Sequence, residues 1–218
     1  MKRSIWRRVR AAVTVAAVAL AVTGCVDVVQ YISGSGSTID VYLRVALQKS
    51  AFALANAFSD QPQDLDRMFA EEFSLDRAEV LATMPAGITA EYRAVVTEFE
   101  YGFELSYSAD RDLLAGLDAE AAFVPRIGPR GMTIPLAESN GEGNGDDGDE
   151  FAAAFLGGAK YRVFISRRLV SRLTSARLVT AGEAVSLTVV QLPDVWMIEF
   201  PISLWLMAAE TPTLEVIF

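Results

Sequence analysis

Two long segments in which apolar and polar residues alternate constrain the fold of this chain more than any other feature. From Ile39 to Leu47 every second residue is apolar, and Asp40, Tyr42 and Arg44 lie among the positions between them. Side chains of a β-strand point alternately to opposite faces, so a period of two predicts a strand with one buried face. The chain therefore contains a sheet that packs one side against a core.

Turns and further strands are predicted on both sides of this strand. A glycine- and serine-rich segment at 33–37 separates it from a β-rich run at 26–32, which predicts a hairpin. The second alternating segment, 99–107, follows another alternation at 88–96. Apolar residues are even-numbered in the earlier segment and odd-numbered in the later one, so we expect a turn or a bulge between the two.

The second half of the chain also contains strand and turn patterns. The Gly-Pro-Arg-Gly sequence at 128–131 lies between two apolar runs and predicts another hairpin. A helical turn or short helix is expected at 110–117. The remaining predicted strands are 161–165, 184–192, 196–200 and 214–218.

The apolar period changes at 49–58 and 64–73, where it fits helices with one apolar stripe. Asp76 and Glu79 have the spacing of a capping box and predict a short third helix ending near residue 84. Together these patterns predict an α+β fold, in which an antiparallel sheet has a helical insert packed on one face. Residues 138–150 include six acids and no apolar residue, which predicts a flexible acidic loop within a single domain, 25–218.

The first 24 residues have the layout of a secretory signal peptide. Five basic residues precede an apolar run at 11–22 that is too short to span a bilayer as a helix. The run ends in Val22-Thr-Gly-Cys25, which resembles the lipobox of bacterial lipoproteins. That resemblance implies cleavage before Cys25 and acylation of this cysteine, so that the mature domain is tethered to a membrane outside the cytoplasm. Because residue 26 is not aspartate, sorting to an outer membrane is favoured if the organism has one.

Composition argues against several classes of function. The absence of histidine excludes Ser-His-Asp and Cys-His catalysis, and the single cysteine excludes an intrachain disulfide. Removal of the leader leaves 14 basic against 28 acidic side chains, a balance that repels nucleic acid. We therefore expect no nucleic-acid partner, no cofactor, no metal centre and no enzymatic activity, while weak calcium association with the acidic loop stays open. A carboxylate-based extracytoplasmic hydrolase is the alternative, because glycoside hydrolysis needs only two acids.

Two groups of residues are candidates for binding. An aromatic strand face either packs in the core or lines a pocket for an acyl chain or another apolar ligand. The members of this face are Phe99, Tyr101, Phe103, Leu105 and Tyr107. A basic stretch either faces anionic head groups or pairs with acids of the chain itself. The candidates for this head-group patch are Arg162, Arg167, Arg168 and Arg172.

The order of these features resembles the LppM-type family of bacterial envelope lipoproteins. The resemblance is carried by the lipobox cysteine, the strand and Gly/Ser turn after it, the helical insert, Met84-Pro-Ala-Gly87 and the run Gly-Glu-Ala-Val-Ser-Leu at 182–187. It implies an α+β envelope domain without catalytic residues, for which lipid binding is one expected role. We therefore expect a non-enzymatic binding or scaffolding role, with a lipid, another apolar ligand or an envelope protein as the partner.

Overall fold

The computed structural model describes residues 26–50, 53, 77–117, 121–137, 158–180, 183–206 and 210–218. These residues form twelve strands and three short helices, and the strands are arranged in two sheets. The described part of the molecule is therefore mostly β.

The larger sheet has seven strands in the order β10-β11-β7-β1-β2-β4-β3. Its strands are β1 (Val26–Ser35), β2 (Thr38–Gln48), β3 (Ala90–Val96), β4 (Glu100–Asp110), β7 (Lys160–Ser166), β10 (Val189–Gln191) and β11 (Val195–Pro201). Strands β1 and β7 pair in parallel, and the other neighbours in this sheet pair antiparallel.

The smaller sheet has five strands in the order β5-β6-β12-β8-β9, and all of its pairs are antiparallel. Its strands are β5 (Arg126–Ile127), β6 (Gly131–Pro135), β8 (Ser175–Thr180), β9 (Glu183–Leu187) and β12 (Thr213–Ile217). Strand β9 in this sheet and β10 in the larger one are separated by Thr188 alone, so the chain passes directly between the sheets there.

Three short helices connect the strands: α1 (Arg77–Ala82), α2 (Arg111–Ala115) and α3 (Ser203–Leu206). Helix α2 begins where β4 ends, because the carboxylate of Asp110 accepts a hydrogen bond of 2.8 Å from the backbone N–H of Asp112. A side-chain acceptor at this position satisfies one of the amides that the first helical turn leaves without a partner. The cap thus fixes the direction in which the chain leaves the sheet.

One hydrophobic cluster draws on the inward faces of both sheets. In the larger sheet the inward residues follow the period of two, and strand pairing aligns them in rows such as Ile32, Val41 and Tyr107. In the smaller sheet Ile134 and Leu178 lie on either side of Leu214 in the same way. Burial of these β-branched and leucine side chains stabilises the fold, at roughly 25 cal/mol per Å² of apolar surface removed from water.

Strands β2 and β4 approach each other closely at Gly102, which pairs with Ala46. A Cβ atom added at Gly102 would lie 2.0 Å from the carbonyl oxygen of Val45. Only glycine fits this position without movement of the backbone. The glycine therefore sets how closely the two longest strands of the sheet can pack.

The predicted α+β fold, with an antiparallel sheet and a helical insert on one face, is wrong for the described residues. They are mostly β-strand, a second sheet shares the core with the first, and β1 pairs in parallel with β7. The apolar period indicated which side chains are buried but not which strands pair, so strands of two sheets were assigned to one. Strand β8, with inward Ala176 and Leu178, was not predicted.

Several local predictions are confirmed. Strands β1 and β2 form the expected hairpin, β5 and β6 form the one around Gly128-Pro-Arg-Gly131, and the change of parity after β3 is a turn at 97–99. A short helix lies within 110–117 as predicted, and α1 lies where the third helix was expected. The helices predicted at 49–58 and 64–73 and the acidic loop at 138–150 lie almost entirely outside the described residues.

Candidate functional site

The predicted aromatic face does not form one surface. Phe103, Leu105 and Tyr107 are buried on the inward side of β4 and belong to the hydrophobic cluster. Tyr101 is half-buried, and Phe99 lies in the turn before the strand with 67% of its surface exposed. Three of the five side chains therefore pack between the sheets, and the turn directs the first one into solvent.

A buried polar cluster that the sequence did not indicate lies beside these residues. Gln30 is fully buried on the inward face of β1. Its side-chain N–H donates a hydrogen bond of 2.7 Å to the carbonyl oxygen of Phe123, and its side-chain oxygen accepts one from the hydroxyl of Tyr161. A buried amide costs free energy unless both of its ends are paired, and both are paired here.

The backbone at Phe123 is held in a conformation that L-residues adopt rarely. Its φ angle is +62°, yet the residue is not glycine. Its N–H donates to the carbonyl of Pro135 at 2.7 Å, its carbonyl accepts from Gln30, and its ring packs edge-on against Trp205 with centroids 5.4 Å apart. These contacts offset a conformational cost of about 1–3 kcal/mol.

Burial raises the pKa of two tyrosines, Tyr161 within this cluster and Tyr107 beside it. Burial raises the pKa of Tyr161 far above its usual value, and the nearby Tyr107 raises it further. Burial alone raises the pKa of Tyr107. Among the described residues the hydroxyl of Tyr107 has no hydrogen-bond partner, so the two hydroxyls differ in what they contribute to stability.

The outward face of the larger sheet has a groove of about 490 Å³ that extends over β1, β2, β4 and the edge strand β3. Tyr31 of β1 and Tyr42 of β2 are direct partners in the strand register and both line the groove. Asp40 and Ser108 add polar groups to it, and the hydroxyl of Ser108 donates to the Asp40 carboxylate at 2.6 Å. Burial and a hydrogen bond to Glu104 raise the pKa of Tyr42 above its ordinary value.

A second groove, of about 670 Å³, lies at the hairpin end of the same face. It shares Tyr31 and Asp40 with the first groove, so the two grooves lie side by side on this face. Its other side is lined by Arg167, Arg168 and Asp194. We call the two grooves together the outer groove; they combine aromatic rings with hydroxyl, carboxylate and guanidinium groups.

Ion pairs cross the outward face between the outer groove and the first residues of β1. The guanidinium of Arg162 binds Asp27 at 2.8 Å and Glu199 at 2.7 Å, and Lys160 binds Glu199 at 2.5 Å. The hydrogen bonds from Lys160 and then Arg162 lower the pKa of Glu199. The pairs join β1, β7 and β11, three neighbouring strands.

The four arginines of the predicted head-group patch therefore lie in different environments. Arg162 is paired with acids, as described above. Arg167 donates to the carbonyl oxygen of Pro193 at 2.9 Å, and its guanidinium carbon lies 5.5 Å from the ring centroid of Trp196. Arg168 and Arg172 are exposed and form no ion pair with other described residues. The structure thus brings Arg167 and Arg168 to the hairpin end of the sheet, apart from Arg162.

The first residues of β1 identify the end of the sheet at which the predicted anchor lies. Cys25 itself lies outside the described residues, and β1 begins at Val26. Val26 pairs with Leu47, and Leu47 pairs with Tyr101. We call this the anchor end; it also includes the turn at 97–99 between β3 and β4.

Among the described residues no group of three or more acidic or cysteine side chains has the arrangement of a metal site. The carboxylates of Asp27, Glu104 and Glu199 are in ion pairs with basic side chains. The arrangement as a whole is that of a two-sheet β protein with a polar, aromatic groove on one outward face.

The chain matches no protein-family model and no curated protein. The resemblances to the lipobox and to LppM-type lipoproteins therefore stay predictions. Within the described segments, no helix has the length and apolar character needed to cross a bilayer.

Proposed function

We propose that this chain is a membrane-anchored extracytoplasmic lipoprotein with a non-enzymatic binding role, and that its ligand occupies the outer groove. One observation carries the proposal: the groove lies on β1, the strand that begins one residue after Cys25. A ligand site on this strand is held at a short, fixed distance from an acylated cysteine. Tyr31 is the sixth residue of the strand, so it lies about 17 Å along it from Val26.

The residues of the outer groove define the chemistry of the ligand. The faces of Tyr31 and Tyr42 are apolar and favour a flat ring or an acyl segment laid across the sheet. Asp40, Glu91 and Ser106 add acceptors and a hydroxyl close to these rings. Such a mixture fits a ligand that has both an apolar face and hydroxyl groups, such as a sugar unit of a glycan or of a glycolipid head group.

The location of the aromatic strand face supports an outward site over an interior one. Phe103, Leu105 and Tyr107 are buried within the hydrophobic cluster that both sheets share. A ligand between the sheets would have to displace these packed side chains, at a cost of several kcal/mol for each large residue. The outward groove needs no such rearrangement.

Native mass spectrometry of the chain, expressed in bacteria and exported to the cell envelope, tests the proposal. We expect the wild-type chain to gain the mass of its acyl groups and the Cys25→Ser variant to lack it and leave the membrane fraction. We expect the Cys25→Ser chain to retain a ligand that the additional change Tyr31→Ala removes. Val185→Ala, at an exposed position on the smaller sheet, is the matched control and should retain it. An unacylated wild-type chain, or equal ligand retention in all variants, would contradict the proposal.

A further inference from the structure

We propose that the turn at 97–99, with Val96 and Phe99, inserts into the bilayer interface and orients the domain on the membrane. The inference rests on the proposed acylation of Cys25, and it adds a second, protein-borne contact with the lipid. We call Val96, Phe99 and the residues between them the membrane turn. The occupant of this surface is the lipid of the membrane in which the anchor is embedded.

The membrane turn has the two most exposed large hydrophobic side chains among the described residues. Phe99 is 67% exposed and Val96 is 62% exposed. The other large exposed hydrophobics of the described segments, which are scattered over both sheets and helix α3, range from 37% to 43%. Apolar side chains that are isolated at a surface need no explanation, but Val96 and Phe99 lie at the two ends of one turn and are far more exposed than the others.

Strand register places the membrane turn beside the anchor. Val96 pairs with Tyr101, which pairs through Leu47 with Val26, the residue that follows Cys25. The backbone N–H of Lys49, just after β2, donates a 2.8 Å hydrogen bond to the carbonyl of Phe99. The turn is thus two to three strands away from β1, about 10–14 Å across the sheet, and at the same end. An acyl chain at residue 25 brings this turn to the lipid surface.

Several backbone groups of the membrane turn are hydrogen-bonded within the protein. The hydroxyl of Thr97 accepts hydrogen bonds from the N–H groups of Phe99 at 3.2 Å and Glu100 at 2.9 Å. The N–H of Thr97 donates to the carbonyl of Glu100 at 2.9 Å, and the carbonyl of Phe99 is paired with Lys49. Because polar backbone groups are costly in lipid unless they are paired within the protein, these bonds lower the cost of placing the turn in the interface.

The negative charge of the domain determines which lipids allow the membrane turn to insert. Glu98 is exposed within the turn, and the mature chain has twice as many acids as bases. Anionic lipid therefore repels the domain, so insertion depends on apolar burial of Val96 and Phe99. We expect the turn to insert into uncharged, zwitterionic membranes without help from anionic lipid.

This orientation separates the membrane contact from the ligand site. Strand β1 has ten residues, so its hairpin end lies roughly 30 Å from the anchor end. Arg167 and Arg168 lie at that distant end of the sheet, on the outer groove. The domain therefore stands upright on the membrane with the outer groove open to the side and the arginines directed away from the lipid.

Fluorescence quenching tests the inference with the full-length acylated chain in phosphatidylcholine vesicles. A tryptophan introduced by Phe99→Trp should lose most of its added emission when the acyl chains are brominated. Val185→Trp, an exposed hydrophobic position on the edge strand of the smaller sheet, is the matched control and should lose none. Val96→Trp is a second reporter on the membrane turn and should behave like Phe99→Trp.

The masses of the same samples separate this inference from the proposed function. If the chain is acylated and the tryptophans at 96 and 99 are quenched no more than the one at 185, the orientation is wrong while the lipid anchor stands. If the chain is not acylated, the proposed function fails, and this inference fails with it. Circular dichroism spectra that match wild type exclude misfolding as the cause of either result.

Discussion

Removal of the Tyr161 hydroxyl from the core should destabilise the protein far more than removal of the nearby Tyr107 hydroxyl. Tyr161 donates to the fully buried side chain of Gln30, whereas the hydroxyl of Tyr107 has no partner among the described residues. Tyr161→Phe leaves a buried amide oxygen without its donor, which costs about 1–3 kcal/mol. Tyr107→Phe removes a buried hydroxyl that makes no hydrogen bond with any described residue, so we expect no loss of stability and a small gain.

A double-mutant cycle measures the coupling directly. Gln30→Leu removes the amide and leaves two buried groups unpaired, the Tyr161 hydroxyl and the Phe123 carbonyl, so we expect a loss of about 2–5 kcal/mol. In the double variant Gln30→Leu/Tyr161→Phe only the Phe123 carbonyl lacks its partner, and we expect a loss of about 1–3 kcal/mol. The double variant should therefore be more stable than the sum of the single losses predicts, by about 2–5 kcal/mol.

Urea denaturation of the Cys25→Ser chain, followed by far-ultraviolet circular dichroism, gives the free energies of unfolding. Each kcal/mol should also appear as about 2–4 °C in Tm for a chain of this length. The loss of stability in the double variant could equal the sum of the losses for Gln30→Leu and Tyr161→Phe within about 0.5 kcal/mol. Such additivity would show that the two side chains do not interact. That result, or equal losses for Tyr161→Phe and Tyr107→Phe, would refute the assignment of a coupled buried cluster.

Two further predictions concern packing and pH. Gly102→Ala should cost about 3 kcal/mol in the same urea assay, because its Cβ would lie 2.0 Å from the carbonyl oxygen of Val45. Gly128→Ala is the control and should be nearly neutral, since the nearest atom would be 3.6 Å away; equal losses would contradict the steric argument. The pKa of Glu199 is lowered mainly by its hydrogen bond with Lys160. The ionised carboxylate therefore stabilises the folded state above its ordinary pKa of 4.5, and this stabilisation is lost as pH falls below that value. Glu199→Gln should reduce the loss of stability between pH 7 and pH 3 by up to about 1 kcal/mol, and an unchanged pH profile would show that the pair contributes nothing.

Local structure could be predicted from the sequence where one residue pattern determines it. The β1–β2 hairpin and the turn after β3 follow from alternation and from its change of parity, because side-chain direction in a strand depends only on position. The assembly of strands into two sheets depends on which strands pair across long separations, such as β1 with β7, and alternation contains no such information. Strand β8 was missed because only Ala176 and Leu178 of its six residues are fully buried.

The candidate site was harder to predict because its residues come from strands far apart in the sequence. Tyr31 and Tyr42 are near neighbours along a predicted hairpin, so their pairing was within reach of sequence reasoning. Arg167 and Asp194 join them only through the pairing of β7 with β1 and of β11 with β7. Gln30 gave no indication of burial, since a polar residue within an apolar run is as compatible with an exposed edge as with a paired core position.

Strand β1 combines the features on which both proposals depend, and its geometry keeps them independent. Gln30 and Ile32 point into the core, while Tyr31 between them points into the outer groove. A change at Tyr31 therefore alters the ligand site without exposing or filling the core, since it removes no inward contact. A binding defect in Tyr31→Ala should accordingly occur at wild-type stability, whereas a defect in a Gln30 variant would accompany partial unfolding. If Tyr31→Ala lost binding and stability in parallel, the groove would be a structural feature of the sheet and the binding proposal would lose its principal support.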